Sequence, residues 1–216
     1  MGARGFARAA TCAALFLGAL SGCGSPSGDD EEPSSPSRAG RADDAWGDKT
    51  VAPAGQEAVG GKGSPCVLPV TFRLAQSWKP KLVDSDPASG GPVRQGPVQL
   101  ACEIDAKPAG YVGFLRVWTH APAGMSARQT LQAFMAKDSQ ASKAKYRDTK
   151  ASSLAAAEVT YLNTAPGLTE AKQERALAVE APQGAIILQL GGLDSSEHER
   201  MLPAYQLAKI SMSLTG

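Results

Sequence analysis

Residues 98–119 read VQLACEIDAKPAGYVGFLRVWT. Two apolar runs flank Lys107-Pro108-Ala109-Gly110, where proline fixes one backbone angle and glycine frees another, so the stretch predicts two strands joined by a turn. In the second run Val112, Phe114 and Trp118 fall on one side, and Leu115 and Val117 on the other. A strand apolar on both sides is expected inside a sheet that is covered twice. The hairpin is therefore the centre of the fold, and the other elements are read outward from it.

Upstream, Val70, Phe72 and Leu74 alternate with polar neighbours, the period of a half-buried strand. SWKPKLV follows, then a long loop, DSDPASGGPVRQGP. Downstream, Ser126-Ala127-Arg128-Gln129 is a capping box, and Ala127, Leu131, Phe134 and Met135 recur at helical spacing. This helix is expected to end near Lys143, and the mixed charges of residues 137–150 read as a solvated helix end and loop. Three more strands are expected in AAAEVTYLNT, QERALAVEA and AIILQLGG, the last two joined at Pro182-Gln183-Gly184. A second capping box, Ser196 to Glu199, opens a closing helix whose apolar stripe is Met201, Ala204, Tyr205, Ala208 and Met212. Pro203 removes one hydrogen bond inside it, which predicts a kink or a restart. Strands, helix, strands, helix with tight turns read as α+β, an antiparallel sheet covered by helices.

The N-terminus has a different character. Arg4 and Arg8 precede an apolar run from Ala9 to Leu20 that is too short for a bilayer of about 30 Å. It suits the central region of a secretory signal. Leu20-Ser21-Gly22-Cys23 resembles the lipobox of bacterial lipoproteins. That resemblance implies cleavage after Gly22 and attachment of diacylglyceryl and fatty acyl chains, such as palmitate, to Cys23. Two or three such chains anchor a protein stably, at about 0.8 kcal/mol per buried methylene. Residues 1–22 are then a signal peptide, and the partner of Cys23 is the cell membrane at its extracytoplasmic face. Without Arg4 and Arg8, 20 basic residues stand against 21 acidic ones, a balance that offers no general attraction to nucleic acid.

Residues 23–65 are rich in Gly, Ser, Pro, Ala and charge, and read as a disordered tether with a reach of roughly 35 Å. Trp46 is the one bulky apolar residue in it, either exposed or docked on the domain or a partner. Cys12 leaves with the signal and Cys23 becomes a thioether, so Cys66 and Cys102 remain. An even pair outside the cytoplasm is expected to form a disulfide stapling neighbouring strands, with two buried thiols as the alternative.

Residues 66–216 form the expected globular domain. The strand running into a tryptophan, VTFRLAQSWKPK, with the strand and helix order above, resembles the PsbP-like fold, which many lipoproteins of high-GC Gram-positive bacteria share. ACEIDAKPAGYVGFLRVWT, KYRDTKASSLAAAEVTYL and LQLGGLDSSEHERMLPAYQLAK are similar to such lipoproteins. The resemblance implies an α/β/α sandwich and a binding or accessory role, with no shared catalytic set.

No catalytic, cofactor or metal pattern emerges from the residues. His120 and His198 are far apart, and HERML places Leu202 where a zinc protease needs its second histidine. GQEAVGGKGS has Gln56 in place of the first glycine of a phosphate loop. Gly191-Gly192-Leu193-Asp194 reads as a turn and helix cap, and His198 as solvated. The candidate ligand-binding residues are Arg116, Trp118 and His120 on one strand, where an arginine between aromatics could grip an acidic group. The expected role is binding of an envelope protein or a small ligand. An envelope-modifying enzyme with a cleft near Arg116 is the alternative, and a deep pocket holding Arg116, His120 and a carboxylate would favour it.

Overall fold

The computed structural model describes residues 46–216, apart from Pro87 and Ser89. The expectations for residues 1–22 and for Cys23 lie outside the described residues. The strands are β1 (Ala54–Val59), β2 (Val70–Ala75), β3 (Lys79–Leu82), β4 (Arg94–Gln95), β5 (Val98–Asp105), β6 (Gly113–Thr119), β7 (Ala141–Ala151), β8 (Leu154–Asn163), β9 (Lys172–Val179), β10 (Ile186–Gly192) and β11 (Ser213–Leu214). The helices are α1 (Ala127–Met135) and α2 (Ser195–Ile210).

The large sheet is antiparallel with order β3-β5-β6-β10-β9-β8-β7, and β4 also pairs with β5. A small sheet has order β1-β2-β11. The predicted hairpin is β5–β6, turned by a 3-10 segment at Lys107–Ala109 and by Gly110 at φ 88. Alternation along the strands feeds two cores. Leu115, Val117, Leu177, Val179, Leu188 and Leu190 pack with α2 and the small sheet. Trp118, Val159, Tyr161, Ala176, Ala178 and Ile187 pack with Leu131 and Phe134 of α1.

β5 serves both cores through a bulge between Leu100 and Cys102. Val98 and Leu100 lie in the α1 core, whereas Cys102 and Ile104 lie in the α2 core. The extra residue shifts the side-chain phase by one, so an unbroken alternation in the sequence lines two opposite faces.

Several expectations are corrected. α1 stops at Met135, not near Lys143, because Lys137 and Asp138 donate to Phe134 and Met135 in a closing turn. Residues 141–151 are then a strand pairing with β8 along most of its length, not a helix end and loop. Its lysines suit a sheet edge, where charge opposes pairing with another chain. The cap of α2 is Asp194, which accepts from the Glu197 amide at 2.7 Å, and not Ser196. The helix runs through Pro203 without a restart, and the Pro203 carbonyl accepts from the Ala52 amide at 2.9 Å.

The tether expected over residues 23–65 is also corrected in its second half. Trp46 to Asp48 pack on the domain, and β1 pairs with β2. Cys66 and Cys102 form a disulfide with Cα atoms 6.0 Å apart. Cys66 lies in the loop before β2 and Cys102 on β5, so the bond joins the small sheet to the large one instead of two neighbouring strands.

Candidate functional site

On its α1 face the large sheet is covered at β8, β9 and the Trp118 end of β6. Phe114 and Arg116, further along β6, stay half-exposed, so the double cover expected for this strand is partial. A groove of about 670 Å³ opens there, lined by Val112, Phe114, Arg116, Leu168, Lys172 and Leu193 among others. Val112, Leu168 and Leu193 are 56, 63 and 66% exposed, a convergence of large apolar side chains on one concave surface. Gly191 keeps the floor low: a Cβ there would sit 3.4 Å from Glu174 Oε1 and 3.7 Å from Arg116 Nη1.

Both cations of the groove are paired with carboxylates, and exposed Glu170 adds an acid to its rim. Arg116 Nε donates to Glu103 Oε1 at 2.8 Å, across the register of β5 and β6, and its guanidinium lies 5.3 Å from the Phe114 ring. Lys172 Nζ lies 3.0 Å from Glu174 Oε1 and donates to the Gly192 carbonyl at 2.7 Å. Beneath them, Trp118 Nε1 donates to Gln189 Oε1 at 3.1 Å and Gln189 Nε2 to the Tyr161 hydroxyl at 2.9 Å. Tyr161 in turn donates to Glu174 Oε2 at 2.9 Å. Burial and the Glu174 charge push the Tyr161 hydroxyl well above its usual range, so it stays a donor.

Of the three candidate residues, only Arg116 lines this groove. Trp118 is buried, edge-on to Phe134 at 5.3 Å. His120 has φ 65, which turns the chain out of the strand's alternation, and it lines a different cavity with Pro182 and Gly184. Arg116 and a carboxylate therefore share a cavity, and His120 stands apart. Gly191-Gly192-Leu193-Asp194 is the groove wall and helix cap together. Among the described residues, no group of three or more His, Cys, Asp and Glu side chains could hold a metal ion.

A second polar cluster went unread in the sequence. Glu158 on β8 is wholly buried on the α2 face. It accepts from the Tyr205 hydroxyl at 2.6 Å, Lys209 Nζ at 2.9 Å and Arg147 Nε at 2.8 Å. Burial pushes the Glu158 carboxyl up, but Lys209, Arg175, the Tyr205 hydroxyl and Arg147 outweigh it and hold the group below the usual carboxylate range. Asp48, from the stretch read as tether, pairs with Arg147 at 2.6 Å and accepts from Gln206 at 2.7 Å. Trp46 docks with its ring 4.1 Å from the Arg147 guanidinium and 5.4 Å from that of Arg175. The sequence signal was charge placed in apolar runs: Glu158 in AAAEVTY, Arg175 at the head of RALAV and Lys209 in YQLAKISM.

His198, expected in solvent, is 1% exposed. Burial, with Arg175 and Lys172 nearby, lowers its pKa to about 4, so it is neutral in the fold. An unfolded histidine titrates near 6.5. The stabilising contribution is therefore full above pH 6.5 and falls as the pH drops toward 4. Linkage gives about 2 kcal/mol lost between pH 8 and pH 5. His198→Gln is expected to reduce that difference in denaturant-unfolding free energy by a similar amount, and an unchanged pH dependence would show that His198 takes up its proton as readily in the fold as in the unfolded chain.

No helix among the described residues is long and apolar enough to cross a membrane. No curated protein matches the chain. The solved structure of LpqN, involved in cell envelope biogenesis of Mycobacterium tuberculosis, is similar at 12% identity and a TM-score of 0.40, over 74% of this chain and 90% of that one. A family described as uncharacterised lipoprotein matches residues 36–212. With most of the chain inside that match, the protein belongs to this lipoprotein family.

Proposed function

We propose that this lipoprotein is anchored through acyl chains on Cys23 at the extracytoplasmic face of the membrane and acts there as a non-catalytic binding domain. Leu20, Ser21 and Gly22 suit the approach of a signal peptidase, and no helix among the described residues is long and apolar enough to cross a membrane. Helix α1 on one face of the large sheet and α2 on the other support the PsbP-like α/β/α reading.

The binding role rests on one observation. The groove gathers exposed Val112, Leu168 and Leu193 around two ion pairs that are already satisfied. Such a surface fits a ligand with an apolar body and neutral polar groups, and it presents no activated nucleophile beside a base. One preparation tests both halves of the proposal. Full chain expressed in its natural host should partition with membranes, and Cys23→Ser should move to the soluble fraction. Native mass spectrometry of the membrane-extracted protein should show a bound ligand that Leu193→Asp loses. Unchanged partitioning would defeat the anchor, and bare protein would defeat the ligand reading.

A further inference from the structure

Arg175 is a buried cation with two hydrogen-bond donors unmet. Its side chain is 4% exposed, yet neither Nε nor Nη1 has a hydrogen-bond partner. The nearest carboxylate oxygens, from Asp48 and Glu158, are each 3.7 Å away, beyond hydrogen-bond range. A buried donor left without an acceptor destabilises the fold, so it favours any group that can supply one. Arg147 and Lys209 stand beside it, both on Glu158, and what closes this cluster from outside is the short segment 46–48. The segment is held by the Trp46 ring on two guanidinium groups and by the Asp48 carboxylate, which is one-third exposed. Without Asp48, three cations face one carboxylate, and with it they still exceed the acids by one.

We propose that Arg147, Arg175 and Lys209 form an oxyanion-binding site that the protein's own segment 46–48 covers in this conformation, with the Asp48 carboxylate standing where a phosphate group binds. A phosphate offers several acceptor oxygens and more charge than one carboxylate, so it can reach the free Nε and Nη1 of Arg175 while pairing with Arg147. Its arrival displaces Asp48 and with it Trp46, which frees the strap from α2. The site is distinct from the groove, because strand alternation places Glu158 and Arg175 on the α2 face and Arg116 on the other. The phosphate group has two sources, a free anion and a lipid headgroup.

The test uses the full chain and Asp48→Asn, titrated calorimetrically with inorganic phosphate and, separately, with a short-chain phosphatidic acid below its micelle concentration. Asp48→Asn is expected to bind one or both probes at least tenfold more tightly than the unsubstituted chain, and whichever probe wins identifies the source. Adding Arg147→Gln, at a side chain 20% exposed and therefore safer for folding than Arg175, should weaken that binding at least tenfold. Binding should also shift the tryptophan emission, and the shift should be absent in Trp46→Phe, since Trp78 and Trp118 are buried elsewhere. No saturable binding of either probe to Asp48→Asn overturns the proposal. So does binding indifferent to Arg147→Gln, or binding that leaves the Trp46 emission unaltered.

Discussion

Glu158→Ala is expected to lower the unfolding free energy by about 3–5 kcal/mol, the range seen when one partner of a buried ion cluster is removed. The carboxylate is wholly buried and accepts from Tyr205, Lys209 and Arg147. Its loss leaves the Lys209 ammonium, 6% exposed, with no carboxylate at 2.9 Å and the Tyr205 hydroxyl without its acceptor. Equilibrium urea unfolding measures the loss, and an unchanged slope would show that the denatured state is the same. A second substitution identifies the cause. If uncompensated charge dominates, Glu158→Ala with Lys209→Met should recover part of the loss, because an apolar replacement of similar length removes the stranded cation. A loss below about 1 kcal/mol in the single variant would mean that water or Asp48 takes over the pairing.

Replacing both Cys66 and Cys102 with alanine should cost about 4 kcal/mol, from the chain-entropy relation applied to a sequence separation of 36. The bond links a loop of the small sheet to a strand of the large one, and both sulfur-bearing residues are fully buried in the α2 core. Without it, docking of β1, β2 and β11 relies on Phe72, Leu74 and Trp78 against that core. The measurement is the denaturation midpoint of the double variant beside the oxidised protein. Reductant should act slowly on the native protein and fast once it unfolds, because neither residue has any exposed surface. A midpoint that does not move would show that the small sheet is held by packing alone.

The sequence was most informative where one local pattern had one outcome. Alternation found β2, apolar runs bounded by turns found β6, β8, β9 and β10, and the capping box found α1 from Ser126. It failed where two patterns compete. The bulge in β5 keeps Val98, Leu100, Cys102 and Ile104 in step in the sequence while sending them to opposite cores. Residues 141–151 carry helix-forming lysines and alanines, and only pairing with β8 makes them a strand. The groove was half legible, since Arg116 and Phe114 were singled out but Leu168 and Val112 become neighbours only through tertiary closure. The buried cluster was illegible for a different reason. Glu158, Arg175 and Lys209 lie 17 and 34 residues apart, and Trp46 with Asp48 lies in a composition that otherwise reads as linker.

The β6–β10 seam sets an order on self-assembly. β5 with β6, and β8 with β9 and β10, are pairs of near neighbours in the chain, whereas Trp118 of β6 meets Ile187 of β10 across 69 residues. Loop-closure entropy falls on that seam, so the two halves zip first and meet afterwards. A chain emerging N-terminus first therefore holds an open β6 edge until its last quarter arrives, the interval in which a chaperone or a stray strand finds it most exposed.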